Sequence, residues 1–327
     1  MNKDASLYFH SPCFDGIVSC VLALDFLEAS EGWKIQRFNP VDYTSRTSWL
    51  DCQLSVPCAV VDFLYHPKAS FWADHHPTTF VSPGAKRHFE HRSDRRLLCF
   101  NNRLSSCALL LSQFLAGSFG FRNPRYAEMV EWADKIDSAR YASVEEAILG
   151  ETPALRIRAS MGAKKGRDYF ERLVKTLRDS SLEEVARQPE VSLAADEVQS
   201  SIRAGLERFE RAATIDDDGI VVFDVDGQQV MINRYTSYYF FPQARYSVGI
   251  VRSETGAKIT AMRDPWYDFS SVPLGKIFEK FGGGGHQRVG ALLLPGNDAG
   301  DAKLVLQRIV DEIRAEDAVV ASGGPTI

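Results

Sequence analysis

The chain has 327 residues, with 38 Lys and Arg against 43 Asp and Glu, which gives a formal net charge of −5. Hydrophobic residues make up 45% and charged residues 25%, as is typical of a globular protein with about two domains. The mild acidity disfavours a protein that coats long duplex DNA, because such binding depends on broad neutralisation of phosphates.

Membrane insertion and secretion are both disfavoured by the sequence. No segment approaches the roughly 20 apolar residues of a membrane span, and the first residues lack the apolar core and cleavage site of a secretion signal. The six cysteines contain no pair with CxxC spacing, which disfavours a structural zinc site. We therefore expect a cytoplasmic protein with reduced thiols and no membrane partner.

The first part of the chain alternates short apolar runs with a helical pattern. The sequence predicts a strand over residues 6–10, a buried helix over 16–27, and further strands over 57–63 and 69–74. Strands and helices that alternate at this spacing are typical of βαβ units and a parallel sheet. Residues 82–103 are rich in Lys, Arg and His without periodicity, and we interpret them as a long surface loop.

The rest of the chain is predicted to be helical first and then mixed. Apolar periodicity predicts helices over residues 106–115, 126–136, 144–148, 168–178 and 192–212. After a turn at 216–219 we expect strands over 220–225, 230–232, 246–251, 258–262 and 291–294, with helices over 274–281 and 301–313. The predicted fold class is therefore α/β, with an N-terminal parallel-sheet domain (1–180) that has helices on both faces. A helical connector (181–215) would lead to a smaller C-terminal α/β domain (216–327).

Acidic and imidazole side chains, most of them at or just past the ends of predicted strands, form a candidate metal site. They are His10, Asp15, Asp62, Asp74, His75, His76 and Asp134. Polar residues at the carboxyl edge of a parallel sheet lie where ligands bind. Carboxylates and imidazoles suit Mn²⁺, Mg²⁺ or Fe²⁺, and shared carboxylates suit two ions about 3.5–4 Å apart. Each aspartate alone could equally cap a helix or form a turn, but the adjacent pair His75-His76 favours a metal site.

A second candidate site is a run of glycines between an apolar helix pattern and an apolar strand. It consists of Gly282, Gly283, Gly284 and Gly285, followed by His286 and Arg288. Exposed N–H groups in such a run can bind an anion, and His286 and Arg288 would add hydrogen bonds or charge for a phosphate. The alternative is a plain flexible loop, which glycines also favour.

The order of these motifs resembles the DHH phosphoesterase superfamily with its C-terminal DHH-associated domain. That superfamily includes RecJ-type exonucleases, nanoRNases that also dephosphorylate phosphoadenosine phosphate, and cyclic-dinucleotide phosphodiesterases. The matching segments are HSPCFDG at 10–16, VVDF ending at 63, ADHHPT at 73–78, WADKIDSARY at 132–141 and GGGGHQRVGA at 282–291. They span almost the whole chain in the superfamily's order.

The resemblance implies two divalent metal ions, with manganese as the expected metal and Mg²⁺ or Fe²⁺ as alternatives. Their ligands would be His10, Asp15, Asp62, His75 and Asp134. Asp62 would bridge the two ions, His10 would serve one, and the other three residues would complete the second. A hydroxide activated between the ions would attack phosphorus.

Further roles follow from the same resemblance. Asp74 would orient a histidine, since metal-bound imidazoles need a partner on the other nitrogen. His76 would contact the scissile phosphate or help the leaving group. Arg263 and His286 would hold the non-scissile phosphate or the base, together with the glycine run.

Two positions are open in this comparison. Cys13 stands where the superfamily often has a carboxylate: it is either a thiolate ligand, its pKa lowered by the ion, or it is not a ligand and that ion is held more weakly. Asp137 follows Asp134 by three residues on the same side of a predicted helix. It is either a supporting or alternative ligand or a solvated residue at the helix end.

The resemblance implies a metal-dependent phosphoesterase, a hydrolase of short nucleotides such as oligoribonucleotides, linear or cyclic dinucleotides, or phosphoadenosine phosphate. One alternative is an exopolyphosphatase-like enzyme, because Arg263 and His286 suit any anionic tail. Another is a nucleotide-binding sensor with a degenerate metal site, which Cys13 motivates. Since the chain leaves no room for an additional nucleic-acid-binding domain, exonuclease action on long DNA is disfavoured. Dimers are common in the superfamily, so a homodimer is expected.

Overall fold

The computed structural model describes residues 3–164, 166–227, 231–296 and 299–321. They divide into two compact units: the chain up to residue 140 with 151–197, and residues 141–150 with the chain from 198 onward. The domain limits drawn from the sequence at 180 and 215 stay a prediction. No helix in the described ranges is long and apolar enough to cross a membrane.

A five-stranded parallel sheet forms the centre of the first unit. Its strands are β1 (Lys3–His10), β2 (Trp33–Val41), β3 (Cys58–Val61), β4 (Phe71–Asp74) and β5 (Leu98–Phe100). Their order is β2-β1-β3-β4-β5, and every neighbouring pair runs parallel. The parallel sheet predicted from the sequence is confirmed, and the carboxyl ends of its strands share one edge.

Helices cover both faces of this sheet, as predicted. The helices of the first unit are α1 (Phe14–Ser30), α2 (Pro83–His91), α3 (Cys107–Phe119), α4 (Ala127–Asp137), α6 (Pro153–Ala163), α7 (Arg167–Asp179) and α8 (Leu182–Ala186). Helix α5 (Val144–Leu149) follows α4 in the chain but belongs to the second unit. Neighbouring residues of a strand point to opposite faces. Accordingly, the Phe71 ring meets Phe26 of α1 at 6.2 Å, whereas the Trp72 ring meets Phe89 of α2 at 5.2 Å.

The predicted surface loop over residues 82–103 is wrong, because it contains α2 and β5. Ser82 caps α2 by accepting a hydrogen bond from the N–H of Ala85 at 3.1 Å, and Pro83 occupies the first helical turn. Ala85 and Phe89, one turn apart, are buried against the sheet. Only these two apolar positions mark the helix in a basic sequence, which explains why its periodicity was missed.

In the first unit, β2 and α6 also lie where the sequence analysis placed nothing, as α10 (Thr236–Phe240) does in the second. Strand β2 is an edge strand in which apolar and charged residues alternate, and it pairs with β1 through a shift in register after Ala5. Helix α6 begins at Pro153, a residue well suited to the first turn of a helix.

The second unit contains a six-stranded mixed sheet. Its strands are β6 (Ala213–Ile215), β7 (Ile220–Asp226), β8 (Tyr246–Ser253), β9 (Gly256–Arg263), β10 (Gly284–His286) and β11 (Val289–Pro295), in the order β10-β11-β9-β8-β7-β6. Strands β7 and β8 run parallel and the other neighbours antiparallel. The helices are α9 (Pro189–Ala212), whose residues from 198 onward belong to this unit, α10 (Thr236–Phe240), α11 (Leu274–Glu279) and α12 (Ala302–Ala321). The strand predicted over 230–232 is not formed at residues 231 and 232, and residue 230 lies outside the described ranges.

Candidate metal centre

Eight acidic, imidazole and thiol side chains meet at the carboxyl edge of the first sheet. They form three overlapping groups: His10, Cys13 and Asp62; Asp15, His75 and Asp137; and Asp62, Asp74, His75 and His76. Within each group the potential ligand atoms lie within 4.8 Å of one another. The strand ends account for the meeting, because β1 ends at His10, β3 ends just before Asp62 and β4 ends at Asp74.

The turn from β1 into α1 requires a glycine. A Cβ atom on Gly16 would lie 2.0 Å from the carbonyl oxygen of His10, so a larger residue cannot fit without moving the backbone. Cys13 occupies the N-cap of α1, and its carbonyl accepts from the N–H of Ile17 at 3.1 Å. The tight turn therefore places His10, Cys13 and Asp15 around the start of the helix.

Asp62 lies at the centre of the cluster. Its backbone has the left-handed φ of +54°, which is uncommon for a residue other than glycine, and its N–H donates to the carbonyl of Ala73 at 2.9 Å. One carboxylate oxygen, Oδ2, lies 3.3 Å from His10 Nδ1, and the other, Oδ1, lies 3.6 Å from His75 Nε2. Asp62 thus has one oxygen on each side of the cluster, as a bridging ligand requires.

The Asp62 carboxyl is held in an environment that disfavours its charge. Burial raises its pKa well above the usual value, and the nearby carboxylates of Asp15, Asp137 and Asp74 raise it further. A divalent cation would reverse both effects by offsetting the negative charge. The electrostatics of the cluster therefore favour a bound cation.

Asp15 joins the cluster to the amino end of α3. Its carboxylate is fully buried and accepts from the N–H groups of Cys107 at 2.7 Å and Ala108 at 2.8 Å. Its Oδ2 lies 3.8 Å from His75 Nε2. Burial raises the pKa of Asp15, while His75 and the two N–H groups act to lower it. The start of α3 therefore holds this carboxylate in position, and its N–H groups oppose part of the upward shift of the Asp15 pKa.

His75 is oriented as a metal ligand. Its Nδ1 lies 3.2 Å from the carbonyl of Leu104, to which it can only donate, so Nε2 carries the lone pair. Nε2 lies 3.3 Å from Asp137 Oδ2 and within 3.8 Å of both Asp15 and Asp62. Burial lowers the pKa of His75, which favours the neutral form that metals bind.

Asp74 and His76 form a pair beside the cluster. Asp74 is fully buried, and its Oδ1 accepts from the backbone N–H of His75 at 2.8 Å and from His76 Nδ1 at 2.8 Å. Burial acts to lower the pKa of His76, but the hydrogen bond to Asp74 and the surrounding carboxylates outweigh it, and the pKa is raised. Asp74 thus orients His76, and it favours a proton on the imidazole.

His10 and Cys13 form the other end of the cluster. Burial lowers the pKa of His10 to about 4, with a contribution from His76, so its imidazole is neutral at pH 7. Burial and the nearby carboxylates of Asp62, Asp137 and Asp15 raise the pKa of the Cys13 thiol well above its usual value. Without a cation Cys13 is therefore a neutral thiol, and a metal ion is needed to make it a thiolate.

The structure separates Asp134 from the cluster and places Asp137 in it. Asp134 is buried and accepts from the hydroxyls of Ser105 at 2.5 Å and Ser106 at 3.1 Å, and it is paired with Arg140. The ligand role that the resemblance implied for Asp134 is therefore not supported by its contacts. Asp137, one helical turn later, brings Oδ2 to the Nε2 atom of His75 instead.

The two serines that bond Asp134 lie at the start of α3. Ser106 caps α3, since its Oγ accepts from the N–H of Leu109 at 3.2 Å. Because both serines also bond Asp134, that residue positions the start of α3, whose N–H groups hold Asp15. Asp134 therefore affects the cluster indirectly, through the position of α3.

Three buried polar atoms of the cluster have no hydrogen-bond partner among the described residues. They are Asp62 Oδ1, Asp74 Oδ2 and His75 Nε2. Leaving such atoms unpaired is costly, and two of them point among the other potential ligands. Oxygen and imidazole donors in this number fit Mn²⁺, Mg²⁺ or Fe²⁺. The residues present therefore fit the divalent metal that the sequence motifs predicted.

The second unit contains the other predicted site residues. Arg263 ends β9 and is buried, and its guanidinium donates to the backbone carbonyls of Asp264, at 3.0 Å, and Tyr267. The backbone N–H of Arg263 donates to the carbonyl of Arg288 at 3.0 Å, and the guanidinium lies 4.3 Å from the centre of the Phe269 ring. Burial and the charge of Arg288 lower the pKa of Arg263.

The glycine run is a strand and a turn of the sheet. Gly284, Gly285 and His286 form β10, paired with β11, whereas the side chain of His286 lies outside the described part of the chain. A Cβ on Gly283 or Gly285 would lie 2.4 or 2.2 Å from a carbonyl oxygen of β11, but a Cβ on Gly284 would meet nothing within 4 Å. Two of the glycines are thus required by strand packing, and Gly284 leaves its backbone open to approach.

Many side chains of the basic segment 82–103 are paired. Lys86 lies 4.0 Å from Glu90, Arg92 is bound to Asp94 at 2.5 Å, and Arg96 is paired with Glu31. Arg95 lies over the ring of Phe89. Much of the positive charge of this segment is therefore paired with acidic side chains, both within the segment and at Glu31.

No protein-family model and no curated protein matches the chain. Among solved structures, it is similar to the pGpG-specific phosphodiesterase PggH from Vibrio cholerae, with a TM-score of 0.71 and 19% identity over 96% of this chain and 99% of that one. RecJ from Thermus thermophilus in complex with Mn²⁺ gives a TM-score of 0.59 and 13% identity, over 99% of this chain and 53% of that one. An exopolyphosphatase-related protein from Bacteroides fragilis gives 0.51 and 11%, over 96% and 93%. At this level of identity the likeness shows a shared fold, and this fold agrees with the one expected from the order of the motifs.

Proposed function

We propose that this protein is a divalent-metal-dependent phosphoesterase that hydrolyses short nucleotides. The observation that supports it most directly is the cluster of carboxylates and imidazoles with buried, unpartnered ligand atoms at Asp62 and His75. The names of two structural neighbours, a pGpG-specific phosphodiesterase and RecJ bound to Mn²⁺, agree with this chemistry. Manganese, linear dinucleotides and phosphoadenosine phosphate are the cofactor and substrates to test first.

The ligand set follows from the contacts described above. Asp15, His75 and Asp137 would hold one ion, His10 and Cys13 would hold the other, and Asp62 would bind both. Bound ions would supply Lewis-acid stabilisation of phosphate charge and activation of water near neutral pH. Asp137 replaces Asp134 in this set.

The chain's own residues would orient the substrate and move a proton. Asp74 holds His76 through Nδ1, which leaves Nε2 as the atom that can face a substrate. With its pKa raised, His76 would keep a proton on Nε2 and donate it to the leaving oxygen of the phosphate ester. Asp15, fixed by the start of α3, would keep the first ion in place with little reorganisation.

The experiment is an activity panel on the purified full-length chain. After treatment with EDTA, Mn²⁺, Mg²⁺ or Fe²⁺ is restored and hydrolysis of linear dinucleotides, cyclic dinucleotides, phosphoadenosine phosphate and polyphosphate is measured. We expect turnover of one or more short nucleotides, and its loss by at least about 10³-fold in Asp62→Asn and His75→Asn. Matched controls are Asp51→Asn and His91→Asn, whose side chains are exposed and outside the cluster.

Each outcome of the panel assigns a function. Turnover of polyphosphate alone would favour the exopolyphosphatase-like alternative. Nucleotide binding without turnover at any metal, in folded protein, would favour the sensor. The homodimer and the cytoplasmic location stay predictions.

A further inference from the structure

A cavity of about 420 Å³ opens beside the metal centre in the first unit. One wall is the turn after β1, at Ser11 and Pro12, and a second is the end of β2, over residues 40–42. The third wall is formed by residues around the connection from α6 to α7, with Phe170. The volume falls within the roughly 300–1,000 Å³ of sites that bind small molecules.

The cavity and the metal centre share a wall. Ser11 and Pro12 lie between His10 and Cys13 in the chain, so one turn contacts both. The N–H of Ser11 donates to the carbonyl of Val41 at 2.9 Å and thereby fixes the turn against β2. A molecule in this cavity would therefore lie next to a phosphate held at the metal centre.

The walls combine apolar surface with polar groups that lack partners. Met161 and Phe170 are buried and, with Pro12, present flat or flexible apolar surface of the kind that a planar base contacts. Among the described residues, the buried Oγ atom of Ser11 has no hydrogen-bond partner, and the ammonium of Lys164, which also lines the cavity, has no ion pair. A hydroxyl and an ammonium of this kind suit the sugar and phosphate of a nucleotide.

Asp42 is the acidic group of the cavity. Its Oδ1 accepts from the N–H of Thr44 at 2.8 Å, and hydrogen bonds from Thr44 hold the pKa of the carboxyl below its usual value. The carboxylate is therefore ionised and only accepts hydrogen bonds. Thr44 donates to Oδ1 through both its N–H and its hydroxyl, so Oδ2 is the oxygen with room for donors of a ligand. Among the common bases, guanine is the one that presents two adjacent N–H donors, at N1 and N2, and a carboxylate can receive both.

We propose that this cavity is a guanine subsite: it binds the guanine nucleotide that adjoins the scissile phosphate. Asp42 receives the N1 and N2 hydrogens, Met161 and Phe170 contact the ring, and Lys164 and Ser11 bind the phosphate and sugar. This inference rests on the proposed phosphoesterase function, to which it adds a preference for guanine. It makes Asp42 a specificity-determining residue.

Equilibrium binding tests the subsite without requiring turnover. GMP and AMP are titrated into the EDTA-treated full-length protein, as wild type, Asp42→Asn, Asp42→Ala and the exposed control Asp51→Asn. We expect wild type and control to bind GMP at least about tenfold tighter than AMP, the discrimination typical of a paired base edge. Asp42→Asn keeps an oxygen for Thr44 but turns an N–H₂ toward the guanine donors, so it should abolish the preference. Lys164→Ala should weaken both nucleotides equally.

Turnover then separates the two proposals. If pGpG and pApA are hydrolysed, the kcat/KM of wild type should be about tenfold higher for pGpG than for pApA. In Asp42→Asn this ratio should approach one, because the KM for pGpG rises. GMP binding that depends on Asp42 without any turnover would retain the subsite and reject the phosphoesterase function. Turnover with equal use of both dinucleotides, or GMP binding unchanged in both Asp42 variants, would overturn the subsite and leave the phosphoesterase intact.

Discussion

Asp134 and Asp137 lie one turn apart on α4, and replacing each by alanine should have opposite consequences. Asp137 faces the metal centre, with Oδ2 3.3 Å from His75 Nε2. Asp134 faces the start of α3 and accepts two serine hydroxyls. We expect Asp137→Ala to weaken metal binding with little loss of stability, and Asp134→Ala to destabilise the fold.

The magnitudes follow from these contacts. Hydrogen bonds to a charged group contribute about 1.5–3 kcal/mol each, so the loss of two in Asp134→Ala should cost about 3–6 kcal/mol. The pair with Arg140 adds little, because that arginine is 61% exposed. If Asp137 is a direct ligand, as proposed, Asp137→Ala should weaken Mn²⁺ binding by about 100-fold or more, beyond the 10- to 100-fold effect of supporting residues. In EDTA it should leave stability unchanged or raise it by up to about 1 kcal/mol, since it relieves repulsion with Asp62 and Asp15.

Two measurements on each variant decide the matter. Calorimetric titration with Mn²⁺ gives the affinity, and urea unfolding in EDTA gives the stability of the metal-free protein. Asp134→Asn, which keeps an oxygen for the serines, should recover much of the loss in stability. The reasoning would be refuted if Asp134→Ala lost metal binding at wild-type stability while Asp137→Ala bound Mn²⁺ normally.

Three further changes test the surroundings of the site. Gly16→Ala should cost at least about 2 kcal/mol in urea unfolding and lower activity, because its Cβ would lie 2.0 Å from the carbonyl oxygen of His10. The control Gly117→Ala, in open space on α3, should not destabilise the protein. Equal stabilities of the two variants would contradict this. Since burial lowers the pKa of His10 to about 4, its contribution to the stability of the metal-free protein should be complete above pH 6.5 and decrease as the pH falls toward 4. His10→Asn should reduce this pH dependence of the urea midpoint. Ala139→Gly should stabilise by about 1 kcal/mol in the same assay, because residue 139 has a φ of +55° just after α4; a loss of stability would contradict the strain.

Much of the site could be predicted because it depends on strand ends. His10, Asp62 and Asp74 end or follow three apolar strands, and parallel strands bring their carboxyl ends to one edge whatever their order in the sheet. The glycine of the first motif is equally local, since one tight turn explains it. Such features depend on a few neighbouring residues and on general properties of the fold.

Other features depend on contacts distant in the chain. Asp134 and Asp137 share one side of α4, and only the packing of α4 beside α3 decides which carboxylate reaches His75. Helix α2 has too few apolar residues to show a period, although Ser82 and Pro83 mark its start and could have revealed it. Strand β2 is half exposed, and its pairing with β1 supplies what its sequence lacks.

The departure at Cys13 is consistent with the charge of the cluster. The carboxylates of Asp15, Asp74 and Asp137 already raise the pKa of Asp62, and a fifth carboxylate in place of Cys13 would add repulsion in the metal-free protein. A thiol that stays neutral until a cation binds avoids this repulsion. The result is one negative charge fewer on the His10 side of the cluster in the metal-free protein. The two halves of the centre are therefore unequal: oxygen and imidazole donors surround His75, and a softer donor set surrounds His10. Because Asp62 belongs to both halves, an ion bound first on the His75 side would offset part of the negative charge of Asp62. The site on the His10 side would then bind a second ion more weakly still.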